Sequence, residues 1–278
     1  MASSILSRRE CLAGAAGLAA LRGFGADASA EFAHDDIKLG VASYSLRKFP
    51  RARAIEMVRS LRTPYICIKE FHLAYSSTPE ELAAARIECE SAGLQILSGG
   101  VIYLEKQEDL RRMFDYAKGA GMPMMICAPK RPLVGEVEKL VKEYNIRAAI
   151  HNHGPEDKEF PTPQSVLEAI RGTDPRMGLC MDIGHTARAG QDVLEWIDKA
   201  GKRLFDIHAK DLVDTSRNAR NVPVGEGILP VAAMLRLLKK IDYKDGVMLE
   251  YEIDEDNPLP GMRESFAYMR GVLAGLRG

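Results

Sequence analysis

Residues Gly178 to His185 read GLCMDIGH, a short apolar run that leads into an aspartate and then a histidine. Similar transitions occur at three other places, where an apolar run leads into His151, His208 or Glu250. The carboxyl ends of parallel strands meet at one rim of a barrel, so the four transitions predict imidazole and carboxylate groups gathered at that rim. A divalent-metal site requires such a gathering.

Short apolar runs alternate with amphipathic stretches about eight times along the chain. The runs predict strands at residues 37–43, 65–68, 95–98, 122–127, 147–150, 178–181, 204–207 and 247–249. A helix over 81–92 is predicted after Thr78-Pro79-Glu80-Glu81, which combines an N-cap, a first-turn proline and a reciprocal glutamate. Thr162-Pro163 repeats the first two signals. Repeated strand and helix predict an α/β fold, the single-domain (β/α)8 TIM barrel.

A doubly wound open sheet is the alternative fold. It usually carries a glycine-rich phosphate loop after its first strand, whereas residues Ala42 to Arg47 read ASYSLR. The longest candidate loop, Asp211 to Pro230, follows the seventh strand. Because active sites of TIM barrels lie on the face formed by such loops, its length predicts a lid or a substrate loop.

Composition narrows the class of partner. The chain has 278 residues, and its 46% of hydrophobic residues can bury one full core. A formal net charge of -1 gives no general attraction to nucleic acid or to an anionic membrane, so neither is an expected partner. Four cysteines lie beyond the N-terminal segment without a C-x-x-C pair, and we expect them to be reduced and buried: Cys67, Cys89, Cys127 and Cys180.

The N-terminal segment reads as a targeting signal. Arg8-Arg9 precedes the apolar run Leu12 to Leu21, and Ala28-Ser29-Ala30 offers a small-x-small cleavage site. This order resembles a twin-arginine export signal over residues 1–30, with the barrel at 31–278 and a periplasmic or other extracytoplasmic location. The run is shorter than the roughly 20 residues of a membrane span, so no stable span is expected after processing.

A catalytic divalent ion needs several ligands that converge from different strands, with one position open to water or substrate. Asp182, His208 and Glu250 would supply three ligands from strands six, seven and eight, and His151 at the end of strand five can complete the set. Mixed nitrogen and oxygen ligands favour Mn or Zn, with Mg or Co as further options.

These motifs together resemble the xylose isomerase-like TIM-barrel superfamily, in particular the sugar phosphate isomerase/epimerase group. The resemblance covers the chain after the predicted signal. It rests on five segments in order: Lys69 to Leu73 (KEFHL), His151 to Gly154 (HNHG), Met181 to His185 (MDIGH), His208 to Asp211 (HAKD) and Glu250 to Glu252 (EYE). The resemblance implies one metal-binding barrel that acts on a small carbohydrate.

In related epimerases the ligands from strands five to eight are Glu, Asp, His and Glu. The resemblance therefore implies the metal ligands His151, Asp182, His208 and Glu250, with histidine in place of the first glutamate. The sugar 3-epimerases use two metal-bound glutamates as opposed acid and base, and this chain keeps only the second. We expect Glu250, His151 and His185 to be the catalytic groups. A histidine can still move protons if the metal leaves one ring nitrogen free.

The resemblance also implies five substrate-binding residues: Lys69, Glu70, His72, His153 and Lys210. Lys210 could hold an enolate oxygen or a substrate carboxylate. His151 and His153 are two positions apart at a strand end, and only one is expected to reach the ion, with His151 preferred. Tyr44 and Tyr103 could stack on a sugar ring.

The leading functional hypothesis is a metal-dependent sugar isomerase or epimerase, in which Glu250 or a nearby histidine enolises a keto or aldehydo sugar. The alternative is a lyase or dehydratase that acts on 3-keto-glycosides or keto-cyclitols. An endonuclease IV-like DNA repair enzyme would need further histidines, whereas the third strand leads into Ser98-Gly99-Gly100. A non-catalytic sugar-binding protein is the remaining class. The sugar and any oligomerisation stay open at this stage.

Overall fold

The computed structural model describes residues 37–277. Eight parallel strands form a closed barrel in which each strand pairs with the next and the last returns to the first. They are β1 (Lys38–Ala42), β2 (Tyr65–Ile68), β3 (Gln95–Leu104), β4 (Met124–Pro129), β5 (Arg147–His151), β6 (Met177–Asp182), β7 (Leu204–Ala209) and β8 (Gly246–Leu249). The predicted single-domain (β/α)8 barrel is confirmed, and the predicted signal peptide lies outside the described residues.

Helices surround the barrel between the strands. They are α1 (Arg51–Ser60), α2 (Pro79–Ser91), α3 (Gln107–Gly119), α4 (Val134–Tyr144), α5 (Pro163–Ala169), α6 (Ile183–Arg188), α7 (Val193–Ala200), α8 (Val231–Lys240) and α9 (Leu259–Gly275). Helix α2 begins at the predicted capping box, where the Thr78 hydroxyl accepts from the backbone N–H of Glu81. Among residues 37–277, no helix is both long and apolar enough to cross a membrane.

Strand β3 extends well beyond its predicted end. Two glycines after Ser98 read as a strand end in the sequence, but the pairing with β4 shifts register after Gly99 and resumes at Ile102. The strand therefore continues to Leu104 and carries Tyr103 to the rim of the barrel.

The barrel interior holds a small apolar cluster that includes Ala149, Cys180 and Met248. His151 and Asp182 stand two residues beyond the first two of these, on the same face of their strands, since side chains alternate along a strand. They therefore face the barrel axis at its carboxyl-terminal rim. The four cysteines within the described residues are free and buried, as predicted.

The predicted loop Asp211 to Pro230 contains a two-stranded antiparallel ribbon, Asp211–Leu212 with Asn221–Val222. The Asp211 carboxylate accepts hydrogen bonds of 2.9 to 3.1 Å from four backbone N–H groups: Leu212, Gly225, Gly227 and Leu229. Because one buried side chain satisfies four donors, the segment has a defined conformation. Its role as a lid or substrate loop stays a prediction.

Candidate metal centre and substrate pocket

Four side chains from adjacent strands converge at the carboxyl-terminal rim. His151 ends β5, Asp182 ends β6, His208 is the penultimate residue of β7, and Glu250 directly follows β8. One donor atom from each lies within 4.8 Å of the others, and all four side chains are buried. The structure thus brings the four predicted ligands together, and we call them the ligand cluster.

Local hydrogen bonds orient Asp182. Its Oδ1 caps helix α6 by accepting from the backbone N–H of His185 at 2.7 Å. The side chain of Asn152 accepts from the Asp182 N–H at 3.0 Å and donates to Thr186 Oγ1 at 3.2 Å. Sequence analysis missed Asn152, although it lies between two histidines of a quoted motif. These bonds fix the carboxylate and leave Oδ2 directed to the cluster.

The buried imidazoles of the ligand cluster indicate whether a divalent ion fits there. Within residues 37–277, no ring nitrogen of His151 or of His208 makes a well-aligned hydrogen bond, although carboxylate oxygens lie nearby. Buried polar atoms are normally satisfied, so these nitrogens are available to a ligand. His151 Nε2 lies 3.7 Å from Asp182 Oδ2, and His208 Nδ1 lies 3.2 Å from Glu250 Oε2. Two nitrogen and two carboxylate donors in one cluster fit a divalent ion.

Cys180 forms an overlapping set of three with His151 and His208, in place of both carboxylates. Burial raises the pKa of the Cys180 thiol to about 12, so it stays protonated at neutral pH. The set with two carboxylates is favoured because it offers four donors, whereas the set with Cys180 offers three.

Lys210 lies against the carboxylates of the cluster. Its Nζ is 2.9 Å from Asp182 Oδ2, 3.1 Å from Glu250 Oε2 and 2.8 Å from Glu252 Oε2. Burial lowers the pKa of Lys210, but these carboxylates outweigh burial and hold the pKa well above its ordinary value. Burial likewise raises the pKa of Asp182 and of Glu250, yet nearby cations hold both well below the usual range. At neutral pH the two carboxylates are therefore ionised.

A cavity of about 210 Å³ opens beside the cluster. Its lining consists of Tyr44, Lys69, Glu70, Val101, Tyr103, His151, His153, His185, Glu250 and Glu252. We call it the main pocket. Three of the five predicted substrate-binding residues line it, namely Lys69, Glu70 and His153. The Lys69 Nζ lies 3.3 Å from Glu250 Oε1, so this carboxylate has a cation beside each oxygen.

His72, predicted to bind substrate, does not line the main pocket. Its Nδ1 lies 2.9 Å from the hydroxyl of Ser43, and its Nε2 lies 3.2 Å from the carbonyl oxygen of Leu46. With both ring nitrogens engaged, the buried imidazole holds the turn after β1. That turn carries Tyr44 to the pocket, so the place of His72 supports a positioning role instead of substrate contact.

Lys210, also predicted to bind substrate, lies outside the pocket lining because its ammonium group is held among three carboxylates. Glu252 lines the pocket instead, and sequence analysis assigned it no role. It accepts hydrogen bonds from Lys210 and from Asn221 Nδ2, at 2.8 and 2.9 Å. Glu252 follows the predicted ligand Glu250 by two residues, and this spacing is the sequence signal that could have identified it.

Three histidine rings form one wall of the main pocket. The ring centroids of His151 and His153 are 5.4 Å apart, and those of His153 and His185 are 4.9 Å apart. Burial lowers the pKa of His185, whereas the side chain of His153 is 43% exposed. Gly154 has a φ of +89°, and a Cβ there would stand 2.7 Å from His185 Nδ1, so glycine leaves room for this wall.

The pH dependence of stability checks the state of His151. Burial lowers its pKa from 6.5 to about 3, so the folded protein keeps it neutral. A depressed folded pKa contributes stability that is present above the unfolded pKa and is lost as the pH falls toward the folded one. We expect the Tm of the metal-free protein to fall between about pH 6.5 and pH 4, and His151→Gln to reduce this fall. Equal falls in thermal unfolding of both proteins would contradict a neutral buried His151.

Comparison with known proteins agrees with this architecture. Residues 53–272 match the family model described as Xylose isomerase-like TIM barrel. An inosose dehydratase from Mesomycoplasma hyopneumoniae is 28% identical over 156 residues, which cover 49% of this chain and 51% of that protein. The chain therefore spans about half the length of that relative.

Solved structures match over a larger part of the chain. A protein from Parabacteroides distasonis superposes with a TM-score of 0.68 at 26% identity, covering 85% of this chain and 99% of that one. The IOLI protein, solved with a zinc atom, superposes with a TM-score of 0.70 at 16% identity over 86% of this chain and 99% of that one, a likeness of fold. Because the family match extends from α1 to α9 and the strands close into the barrel that the family is named for, this chain belongs to the Xylose isomerase-like TIM barrel family.

Proposed function

We propose that this protein is a divalent-metal-dependent lyase that eliminates water, or another β-substituent, from a keto-cyclitol or a 3-keto-sugar after enolisation. One observation carries the proposal: the main pocket is lined by one carboxylate of the ligand cluster, Glu250, and by a wall of three imidazoles, His151, His153 and His185. Epimerisation at one carbon needs two groups that exchange a proton with that carbon from opposite faces. Elimination needs a base for carbon and a different acid for the leaving oxygen.

The inosose dehydratase relative supports the same reaction class, as a similarity over half of its length. A dehydratase that acts on an inosose removes water from a keto-cyclitol, the substrate class named above. The sugar isomerase or epimerase reading, ranked first on sequence alone, therefore becomes the second candidate.

A divalent ion held by His151, Asp182, His208 and Glu250 would supply positive charge that polarises the substrate carbonyl and acidifies the adjacent C–H bond. Glu250 is the group placed to accept that proton. It is ionised, it lines the pocket, and Lys69 at 3.3 Å fixes its second oxygen. Lys69, itself in the lining, also adds positive charge where negative charge develops on the substrate.

The histidine wall supplies the acid. His153 is open to solvent, so it can be reprotonated from water, and its ring lies next to that of His185. The proton leaves the carbon for Glu250, the bond from carbon to the β-oxygen breaks, and a carbon–carbon double bond forms. A proton from the histidine pair converts the leaving hydroxyl to water.

Product analysis tests the proposal. The metal-loaded protein would be incubated with an inosose, 3-keto-glucose and methyl 3-keto-glucoside, and the products followed by NMR. We expect an unsaturated product formed with loss of water or, for the glycoside, of methanol, and a large loss of rate in His153→Gln or His185→Gln. Conversion of each substrate to an isomer without any elimination would contradict the lyase assignment.

The second candidate, an isomerase or epimerase, is favoured by one observation. Glu70 and Glu252 also line the main pocket, and either could act as a second carboxylate base. Epimer formation that disappears in Glu70→Gln or Glu252→Gln, with metal still bound, would support this candidate.

A further inference from the structure

We propose that the substrate has two rings and that a second pocket, beyond Tyr103, binds a neutral polyhydroxylated ring attached to the reacting one. The inference rests on the proposed function and narrows its substrate class from a free keto-sugar to a keto-glycoside. It concerns a separate cavity, and binding of a ligand to that cavity can be measured without any reaction.

The second pocket lies at the carboxyl-terminal ends of β3 and β4. It has a volume of about 110 Å³, and its walls include Tyr103, Glu105, Ala128, Lys130, Asp157 and Glu159. Tyr103 lines both this cavity and the main pocket of about 210 Å³. Two cavities of limited size that share Tyr103 as a wall residue fit two linked rings, since ligand sites enclose most of the ligand surface.

Tyr103 is suited to a position between two rings. Its side chain is 56% exposed although it belongs to a barrel strand, and its ring centroid lies 6.4 Å from that of His153. A tyrosine offers an apolar ring and a polar hydroxyl, and such side chains bind ligands that have both characters. A sugar ring has an apolar C–H face and polar edges, so it matches this surface.

The wall formed after β5 is built from specific bonds. Asp157 Oδ1 accepts from the backbone N–H groups of Glu159 and Phe160, at 2.7 and 3.1 Å. Arg131 Nε donates to the Glu159 carbonyl oxygen at 2.8 Å, and the Arg131 N–H donates to Glu159 Oε2 at 3.1 Å. The other oxygen of Asp157 lies 3.9 Å from His153 Nδ1. Asp157, in the wall of the second pocket, therefore lies beside His153 in the histidine wall of the main one.

The charges of the residues that line the second pocket indicate which kind of ring it binds. Three carboxylates, Glu105, Asp157 and Glu159, line the second pocket with one cation, Lys130, which lies 3.6 Å from Glu159 Oε1. Excess negative charge disfavours a phosphate or a uronic acid, because like charges repel. Sugar hydroxyl groups can donate hydrogen bonds to these oxygens, so a neutral glycosyl unit is the favoured occupant.

The test compares one-ring and two-ring glycosides that lack a keto group and so cannot be enolised. Methyl β-glucoside, methyl β-maltoside and methyl β-cellobioside would be titrated calorimetrically into the metal-loaded full-length protein. We expect at least one disaccharide to bind about 10-fold more tightly than the monosaccharide. Tyr103→Ala should remove this preference, and Glu105→Gln should reduce it. Tyr268→Ala, the same change at a partly exposed tyrosine of α9 outside both pocket linings, should leave it intact.

Equal affinity of wild type for all three glycosides would overturn the second pocket. A preference that persists in both Tyr103→Ala and Glu105→Gln would also overturn it, because the second ring would then bind elsewhere. Failure of the proposed function gives a different result, because keto-substrates then lose no β-substituent. The ratio of glycoside affinities does not depend on that reaction and still reports whether the second pocket binds a ring.

Discussion

Asp182→Asn is expected to lose most bound metal and nearly all turnover while the barrel stays folded. Asparagine keeps the oxygen that caps α6 at His185 but replaces the charged Oδ2 that faces the ligand cluster. Loss of a supporting residue alone costs about 10–100-fold in metal affinity, so we expect at least about 100-fold for a direct ligand. Elemental analysis after dialysis, together with circular dichroism, measures both effects.

The matched control is Glu255→Gln, the same loss of one carboxylate charge in an ion pair at the surface, with Arg47 and Lys48. This variant should keep the metal content and the activity of wild type. Full metal occupancy in Asp182→Asn would reject the ligand cluster as the binding site.

Lys210→Met is expected to cause a large loss of stability in the metal-free protein. The ammonium group lies within 3.1 Å of three carboxylates, two of them buried. Removing one partner of a buried ion pair typically costs about 3–5 kcal/mol, because the remaining charge stays desolvated. We expect a decrease of about 3 kcal/mol in the free energy of unfolding measured with urea in the presence of chelator.

A divalent ion should reverse much of that loss, since its positive charge can replace the ammonium group beside Asp182 and Glu250. Lys48→Met removes a half-exposed lysine that pairs with Glu255, and it should leave the free energy of unfolding close to that of wild type. Equal small losses in the two variants, or no recovery with Zn or Mn, would contradict the role given to Lys210.

The barrel and the ligand cluster could be predicted from sequence because both follow from periodicity. Each predicted ligand stood at the end of an apolar run, and parallel strands bring such ends to one rim. Contacts made by long side chains could not be read in the same way. His72 and Lys210 carry chemistry typical of substrate contact, but their partners, the turn after β1 and three carboxylates, come from distant segments.

The lining of the main pocket also contains residues whose positions could not be predicted from the sequence. The glycines after Ser98 conceal the far end of β3, so the sequence offers Tyr103 for stacking but predicts no strand that would place it. Glu252 was part of a quoted motif, yet its function depends on Lys210 and on Asn221 in the ribbon. The pairing register of the strands and hydrogen bonds between distant segments of the chain decide these positions. Neither leaves a periodic pattern in the sequence.

The most direct measurement uses a 3-keto-glucoside that carries deuterium at C2, next to its carbonyl group. Wild-type protein loaded with Zn or Mn should release the deuterium into solvent as the group attached at C1 is lost from the substrate. The same protein after chelation, and Asp182→Asn, should do neither at more than about 1% of that rate. Elimination that continues unchanged without metal, or that leaves the deuterium in place, would contradict metal-dependent enolisation by this site.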